Sequence, residues 1–207
     1  GNMGRGHPFE TILEGIRQLV SEEGASRIHA VFVGGGRRKP EIEQYVRDQG
    51  LSERVCVLPY QPRERLGLSL TAADLHLISQ DALTLGLIVP SKLAGILAAG
   101  RPALFVGPAE ADVARALDAS GAGQSTPDGD PEAFVAAARR FLLDDAAWES
   151  AATAARETFE SHYSRPVLTS RLEAALRGPM TDSDRSTGPH PSEGRASVAD
   201  GGSPAGR

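Results

Sequence analysis

Pro90-Ser91-Lys92 opens an apolar run, Leu93-Ala94-Gly95-Ile96-Leu97-Ala98-Ala99, that closes on Gly100-Arg101-Pro102. Ser91 is a helix-capping residue type, Gly100 suits a left-handed stop, and Pro102 breaks any continuation. The run therefore reads as a short capped helix leading into a strand. The start of such a helix aims free backbone N–H groups and the positive end of a dipole at one spot. Lys92 in the first turn works against that dipole, so helix stability does not ask for it, whereas a bound phosphate would. A merely solvated lysine is the plain alternative. A second anion candidate is Gly1-Asn2-Met3-Gly4-Arg5-Gly6-His7, which runs into a helix start at Pro8. Its backbone N–H groups could hold an anion, with Arg5 and His7 as the polar side chains; His7 could equally be no more than the neighbour of Pro8.

Other segments are weaker. Gly34-Gly35-Gly36-Arg37-Arg38-Lys39 follows an apolar run but has neither the dinucleotide glycine spacing nor the Lys-Ser/Thr of a P-loop. It is expected to be a tight turn with its basic residues in solvent. Pro59-Tyr60-Gln61-Pro62 could offer an aromatic face and backbone groups to a planar base, or be only a turn. Asp74, His76 and Asp81 lack a second histidine at metal-ligand spacing. There is no Gly-x-Ser-x-Gly elbow, and Cys56 has no base beside it. No catalytic residue, metal site or cofactor is assigned on this basis; the chain reads as a binding half.

The elements that would position these residues follow from hydrophobic spacing. Helices are expected at Pro8 to Glu23, Pro40 to Gln49, Ala109 to Ser120, Pro131 to Leu143, Ala146 to His162 and Pro166 to Arg177, with a helix or helical turn at Arg63 to Ala73. Strands are expected at Ile28 to Val33, Arg54 to Leu58, Asp74 to Ser79 and Ala103 to Val106, with a break at Gly121-Ala122-Gly123. The alternation predicts an α/β, Rossmann-like, doubly wound parallel sheet with helices on both faces and extra helices at the end. Ligands of such sheets lie beyond the carboxyl ends of the strands, where the loops above fall. Residues 1–177 form the expected domain. From 178 to 207 large apolar residues nearly vanish, which predicts a disordered tail. The 207 residues carry a net charge of -5, which argues against a nucleic-acid partner. No apolar run is long enough to cross a membrane. Cys56, the single cysteine, is expected in the core and fits a reducing cytoplasm. The turn-like start at Gly1-Asn2-Met3-Gly4 reads as the interior of something longer.

The run from Ala73 to Gln80, then Gly86 to Leu93, then Gly95 to Pro102, resembles the retaining glycosyltransferases of family 4, and most the colanic-acid and exopolysaccharide branch. Gly1-Asn2-Met3-Gly4, Phe32-Val33-Gly34-Gly35-Gly36 and Leu58-Pro59-Tyr60-Gln61-Pro62 fall in the matching order. The resemblance implies the carboxyl-terminal half of a two-domain GT-B enzyme of hexosyltransferase type, the half that binds a UDP- or GDP-linked sugar. It implies that Asn2, Arg5 and His7 border the donor diphosphate and that Tyr60 and Gln61 border the base. Pro90, Ser91 and Lys92 would form the turn beside the phosphates. Many relatives place two glutamates at the positions of Leu87 and Gly95, the second for the ribose, so this chain departs from them there. The implied partners are the amino-terminal acceptor domain and a saccharide or lipid-linked acceptor, with the work done in the cytoplasm, in peripheral association with the inner membrane face. Without that other domain the chain is expected to be inactive. Two other readings remain: half of a sugar-nucleotide epimerase, and a non-catalytic Rossmann-like interaction domain.

Overall fold

The computed structural model describes residues 1–21, 27–87 and 91–177. Contacts divide the chain into Gly1–Leu168 and Thr169–Arg207. The elements are α1 (Glu10–Ser21), β1 (Ala30–Val33), α2 (Lys39–Asp48), β2 (Val55–Leu58), α3 (Leu66–Thr71), β3 (His76–Ser79), α4 (Lys92–Ala98), β4 (Ala103–Val106), α5 (Asp112–Ser120), β5 (Gly123–Thr126), α6 (Pro131–Leu143), α7 (Asp145–Thr158) and α8 (Arg165–Arg177). A π-helical turn at Phe159–Tyr163 follows α7. The expected end of the first helix at Glu23 and the expected disordered tail from 178 onward lie outside the described residues.

All strand pairing is parallel. The strands form two sheets, β1-β2 and β3-β4-β5, where one was expected. β4 shows why the second holds: its four residues are fully buried, with alternate side chains on opposite faces. Leu104 and Val106 join Ile12, Ile16 and Phe134 in one core. Ala103 and Phe105 join Ile96, Val113 and Leu117 in another. α6 begins where its residues say it should, since Pro131 sits at the first helical position and the Asp130 carboxylate accepts from Ala133 N.

Three expectations are corrected. β5, of which Gly123 falls in the expected break and Gln124–Thr126 in no expected element, is a strand paired with β4. Its Gly-Gln-Ser-Thr sequence lacks an apolar signature because it is an edge. Gly123 is required there, since a Cβ would stand 1.9 Å from the Ala103 carbonyl oxygen. Cys56 is exposed. It lies opposite Val31 in the register, on the face away from the core that holds Ala30 and Phe32. The segment Arg63 to Ala73, expected as a helix or helical turn, is a 3-10 turn (Arg63–Arg65) followed by the short α3. Arg38 does not lie in solvent. Its guanidinium donates to both carboxylate oxygens of Glu10, to Glu41 and to the His7 carbonyl oxygen, and it covers the Phe9 ring. Of the three basic residues of that run, Arg37 alone is exposed.

Candidate functional site

The loops that follow β1, β2 and β3 gather at the carboxyl ends of the strands. Gly34 and Gly36 there adopt φ of +139° and +136°, conformations L side chains rarely reach. These glycines let the first residues of the chain lie flat on the strand end. Asn2 bridges Gly35 in parallel, and Met3 N donates to the Gly35 carbonyl oxygen at 2.7 Å. Any Cβ on Gly36 would meet Asn2 Oδ1 at 2.6 Å, so the Asn2 side chain folds over this loop. Tyr60 arrives from the end of β2. It is 63% exposed, and a Cβ on Gly35 would stand 3.0 Å from its Cε2. An aromatic face therefore borders the glycine loop on its solvent side.

On the opposite flank stand His7 and Lys92. His7 Nδ1 donates to the Ser79 carbonyl oxygen at 2.7 Å, because a carbonyl can only accept. Nε2 of the neutral ring is then an acceptor, and it donates to an anion only when the ring is protonated. Lys92, the first residue of α4, reaches back to Gly1, where an added Cβ would lie 2.6 Å from its Cε. The rim thus runs from Tyr60 over Gly35 and Gly34 to Gly1, Lys92 and His7.

The electrostatics of this rim are one-sided. Desolvation holds the Lys92 ammonium below its ordinary value, although the side chain as a whole keeps contact with solvent. Desolvation also lowers His7; the bond to Ser79 raises it in part, and the positive charge of Lys92 lowers it further. No carboxylate contributes to either shift. Lys92 is therefore the charged side chain of this rim, and His7, held below its ordinary value, is neutral at pH 7.

The remaining expected residues fall as follows. Arg5 is exposed between Asn2 and His7. Gln61 is exposed, and its Nε2 turns back to its neighbour Pro59's carbonyl oxygen at 3.2 Å. Pro90 lies outside the described residues. Ser91 precedes α4 but is itself helical in conformation and makes no capping hydrogen bond, which corrects the capping expectation. Gly95 points elsewhere: a Cβ there would meet Leu70 of α3 at 3.3 Å. Ser79, whose carbonyl orients His7, had no role in the sequence reading; the only hint was its place at a strand end. Asp81 N is held by the Gly6 carbonyl oxygen at 3.0 Å while its carboxylate accepts from Leu83 N. His76 donates to the Leu70 carbonyl oxygen. Among the described residues, no group of three or more His, Cys, Asp or Glu is placed to hold a metal. No helix among them is long and apolar enough to cross a membrane.

Parallel strands with a glycine-rich loop at their carboxyl ends define a Rossmann-like domain. No family model matches the chain. It is 30% identical over 189 residues to the probable glycosyltransferase WbjE of Pseudomonas aeruginosa, covering 88% of this chain and 44% of that protein. It is 29% identical over 144 residues to the putative colanic acid biosynthesis glycosyl transferase WcaI of Escherichia coli, covering 69% of this chain and 34% of that one. The chain thus spans less than half the length of these relatives. Its fold matches the C-terminal domain of the glycosyl transferase group 1 family protein LpcC of Francisella tularensis. The TM-score is 0.65 at 11% identity, covering 80% of this chain and 85% of that domain. It also matches Alr3699/HepE of Anabaena, solved with UDP and glucose, with a TM-score of 0.67 at 13% identity, over 86% of this chain and 46% of that one. The chain is a homologue of glycosyltransferases with the fold of a GT-B carboxyl-terminal domain.

Proposed function

We propose that this domain binds the nucleotide-sugar donor of a glycosyltransferase acting in polysaccharide biosynthesis, with the diphosphate held at Lys92 and His7. The observation that carries the reading is the Lys92 side chain reaching Gly1 at the glycine loop, with the exposed Tyr60 ring on the loop's other side. In this arrangement the base lies against Tyr60 and Gln61, the glycine loop with Asn2 lets the backbone approach the sugar–phosphate chain, and Arg5 closes the open side. Charge builds on the leaving diphosphate as the bond from its oxygen to the anomeric carbon breaks, and Lys92 is placed to neutralise it. α4 is only seven residues long, so its dipole adds little and the side chain carries most of the effect.

The relatives' names and HepE's bound UDP and glucose support a donor of this chemistry. The resemblance of the Pro90–Pro102 run to family 4 supports transfer with retention at the anomeric carbon, to a saccharide or lipid-linked acceptor at the cytoplasmic membrane face. Transfer also requires an acceptor hydroxyl held against that carbon, and much of the rate of such reactions comes from positioning. These residues supply one wall of the cleft, so the chain alone binds donor and does not turn over. Titrating UDP, GDP and ADP into wild type and Lys92→Ala tests the reading. It predicts binding of at least one nucleoside diphosphate that weakens in the variant. Absence of binding, or a variant that binds equally well, would refute it.

A further inference from the structure

Arg38 stands between the glycine loop and α2, as the last residue before that helix. It grips the Met3–His7 segment at both ends. Its backbone N–H donates to the Met3 carbonyl oxygen at 2.9 Å, and its Nη1 donates to the His7 carbonyl oxygen at 3.1 Å. Between these two bonds, the Gly6 carbonyl oxygen accepts from Asp81 N at 3.0 Å. The segment that carries Arg5 and His7 is thus fastened to the loop after β1 and to the loop after β3.

The guanidinium is itself held in place. Nε donates to Glu41 at 2.8 Å, Nη1 to Glu10 at 3.2 Å, and Nη2 to the other carboxylate oxygen of Glu10. Its carbon stands 5.4 Å over the Phe9 ring, whose centroid is 6.0 Å from that of the His7 ring. It lines the groove between α1 and α2 together with Leu13 and Ile42. The Glu10 and Glu41 side chains are 71% and 62% exposed, against 19% for Arg38. Ion pairs to carboxylates so exposed add little stability. Their effect is geometric: they take the planar fork from two sides and keep one N–H of Nη1 on the His7 carbonyl.

We propose that Arg38 is a positioning residue of the donor site, acting through His7; the proposal rests on the donor reading above. The bond from Arg38 fixes the backbone from which the imidazole hangs, so that Nδ1 reaches the Ser79 carbonyl oxygen at 2.7 Å. Nε2 is then the nitrogen that donates to the diphosphate once the ring is protonated. Arg38 acts by placement and not by its field. Glu10 and Glu41 balance its charge, and the side-chain charge that acts on His7 is that of Lys92. Lysine cannot replace it, because one ammonium on a flexible stem does not bridge two carboxylates and a carbonyl in a fixed plane.

The test uses Arg38→Met and Arg38→Lys. The lysine variant keeps a cation between Glu10 and Glu41, and thermal unfolding verifies that it is folded. At pH 7.5, heteronuclear NMR of the neutral His7 ring shows which nitrogen carries the proton, with no nucleotide present. Wild type holds it on Nδ1, and both variants lose that preference. At pH 6, calorimetry should show UDP affinity about tenfold weaker in both variants, the loss of one charge-assisted hydrogen bond. In a His7→Ala background the same substitutions should change it by less than about twofold. A purely structural arginine would lower the unfolding temperature and move neither readout. The wild-type tautomer in both variants, or an equal loss of UDP affinity with and without His7, would overturn the proposal and leave the donor reading standing. Failure of the wild-type chain to bind UDP would overturn the donor reading and this proposal with it.

Discussion

Replacing Lys92 with methionine removes the ammonium and keeps the apolar stem. A phosphate oxygen within about 4 Å of that ammonium gains about 4 kcal/mol at an effective dielectric constant near 20. Solvent access at Lys92 and the cost of desolvating the phosphate reduce this to the net value of a charge-assisted hydrogen bond, about 1.5–3 kcal/mol. Lys92→Met should therefore raise the Kd for UDP by about 10- to 150-fold. Isothermal calorimetry at low salt reads this directly, with uridine as the internal control. Uridine has no phosphate, so its weak affinity should not change. At about 1 M salt, where screening acts within about 3 Å, the gap between variant and wild type should shrink. Folding should not suffer: Lys92 is held below its ordinary value by desolvation, so removing it relieves a cost. A UDP affinity within about twofold of wild type, or an equal loss for uridine, would refute the assignment.

Tyr60→Ala should weaken UDP and uridine alike, by about 1–3 kcal/mol for a lost base-stacking face, while stability changes little because the ring is 63% exposed; parallel titrations of the two ligands read it. An added diphosphate should raise the His7 pKa, so UDP affinity should increase as pH falls from 7.5 toward 6, and NMR titration of His7 with and without UDP checks this. His7 and His76 are both held below the usual histidine value, mainly by burial. The unfolded chain then binds more protons, so stability is full above about pH 6.5 and declines as pH falls below it; urea unfolding at pH 7.5 and 5.5 measures the drop. Gly15→Ala should destabilise despite the helix propensity of alanine, because its Cβ would stand 2.3 Å from the buried Phe134 ring. The expected loss is about 1–3 kcal/mol, read as a lower thermal midpoint.

The residues that were legible in the sequence are those whose surroundings are local. Pro131 behind an aspartate cap, and the four apolar residues of β4 before Gly107, carry their structure within a few positions. Lys92 stands out in the sequence for the same reason, since its charge opposes its own helix. What escaped depends on partners far along the chain. Arg38 reads as one of three basic residues until Glu10, 28 residues away, takes its guanidinium. His7 gains its orientation from Ser79, 72 residues away. Cys56 sits in an apolar run that looks buried, yet only one face of its sheet is covered by helices. β5 lacks a signature because an edge strand against Ala103 needs a glycine more than it needs apolar side chains.

The account's central claim is that the rim from Tyr60 to Lys92 and His7 holds a nucleoside diphosphate. Amide shift mapping during a UDP titration tests it most directly. The largest changes should fall on Gly34–Gly36, Tyr60, His7 and Lys92, with β5, α6 and α7 unmoved. Saturable changes centred on α6 or α7, or no saturable change at all, would contradict it.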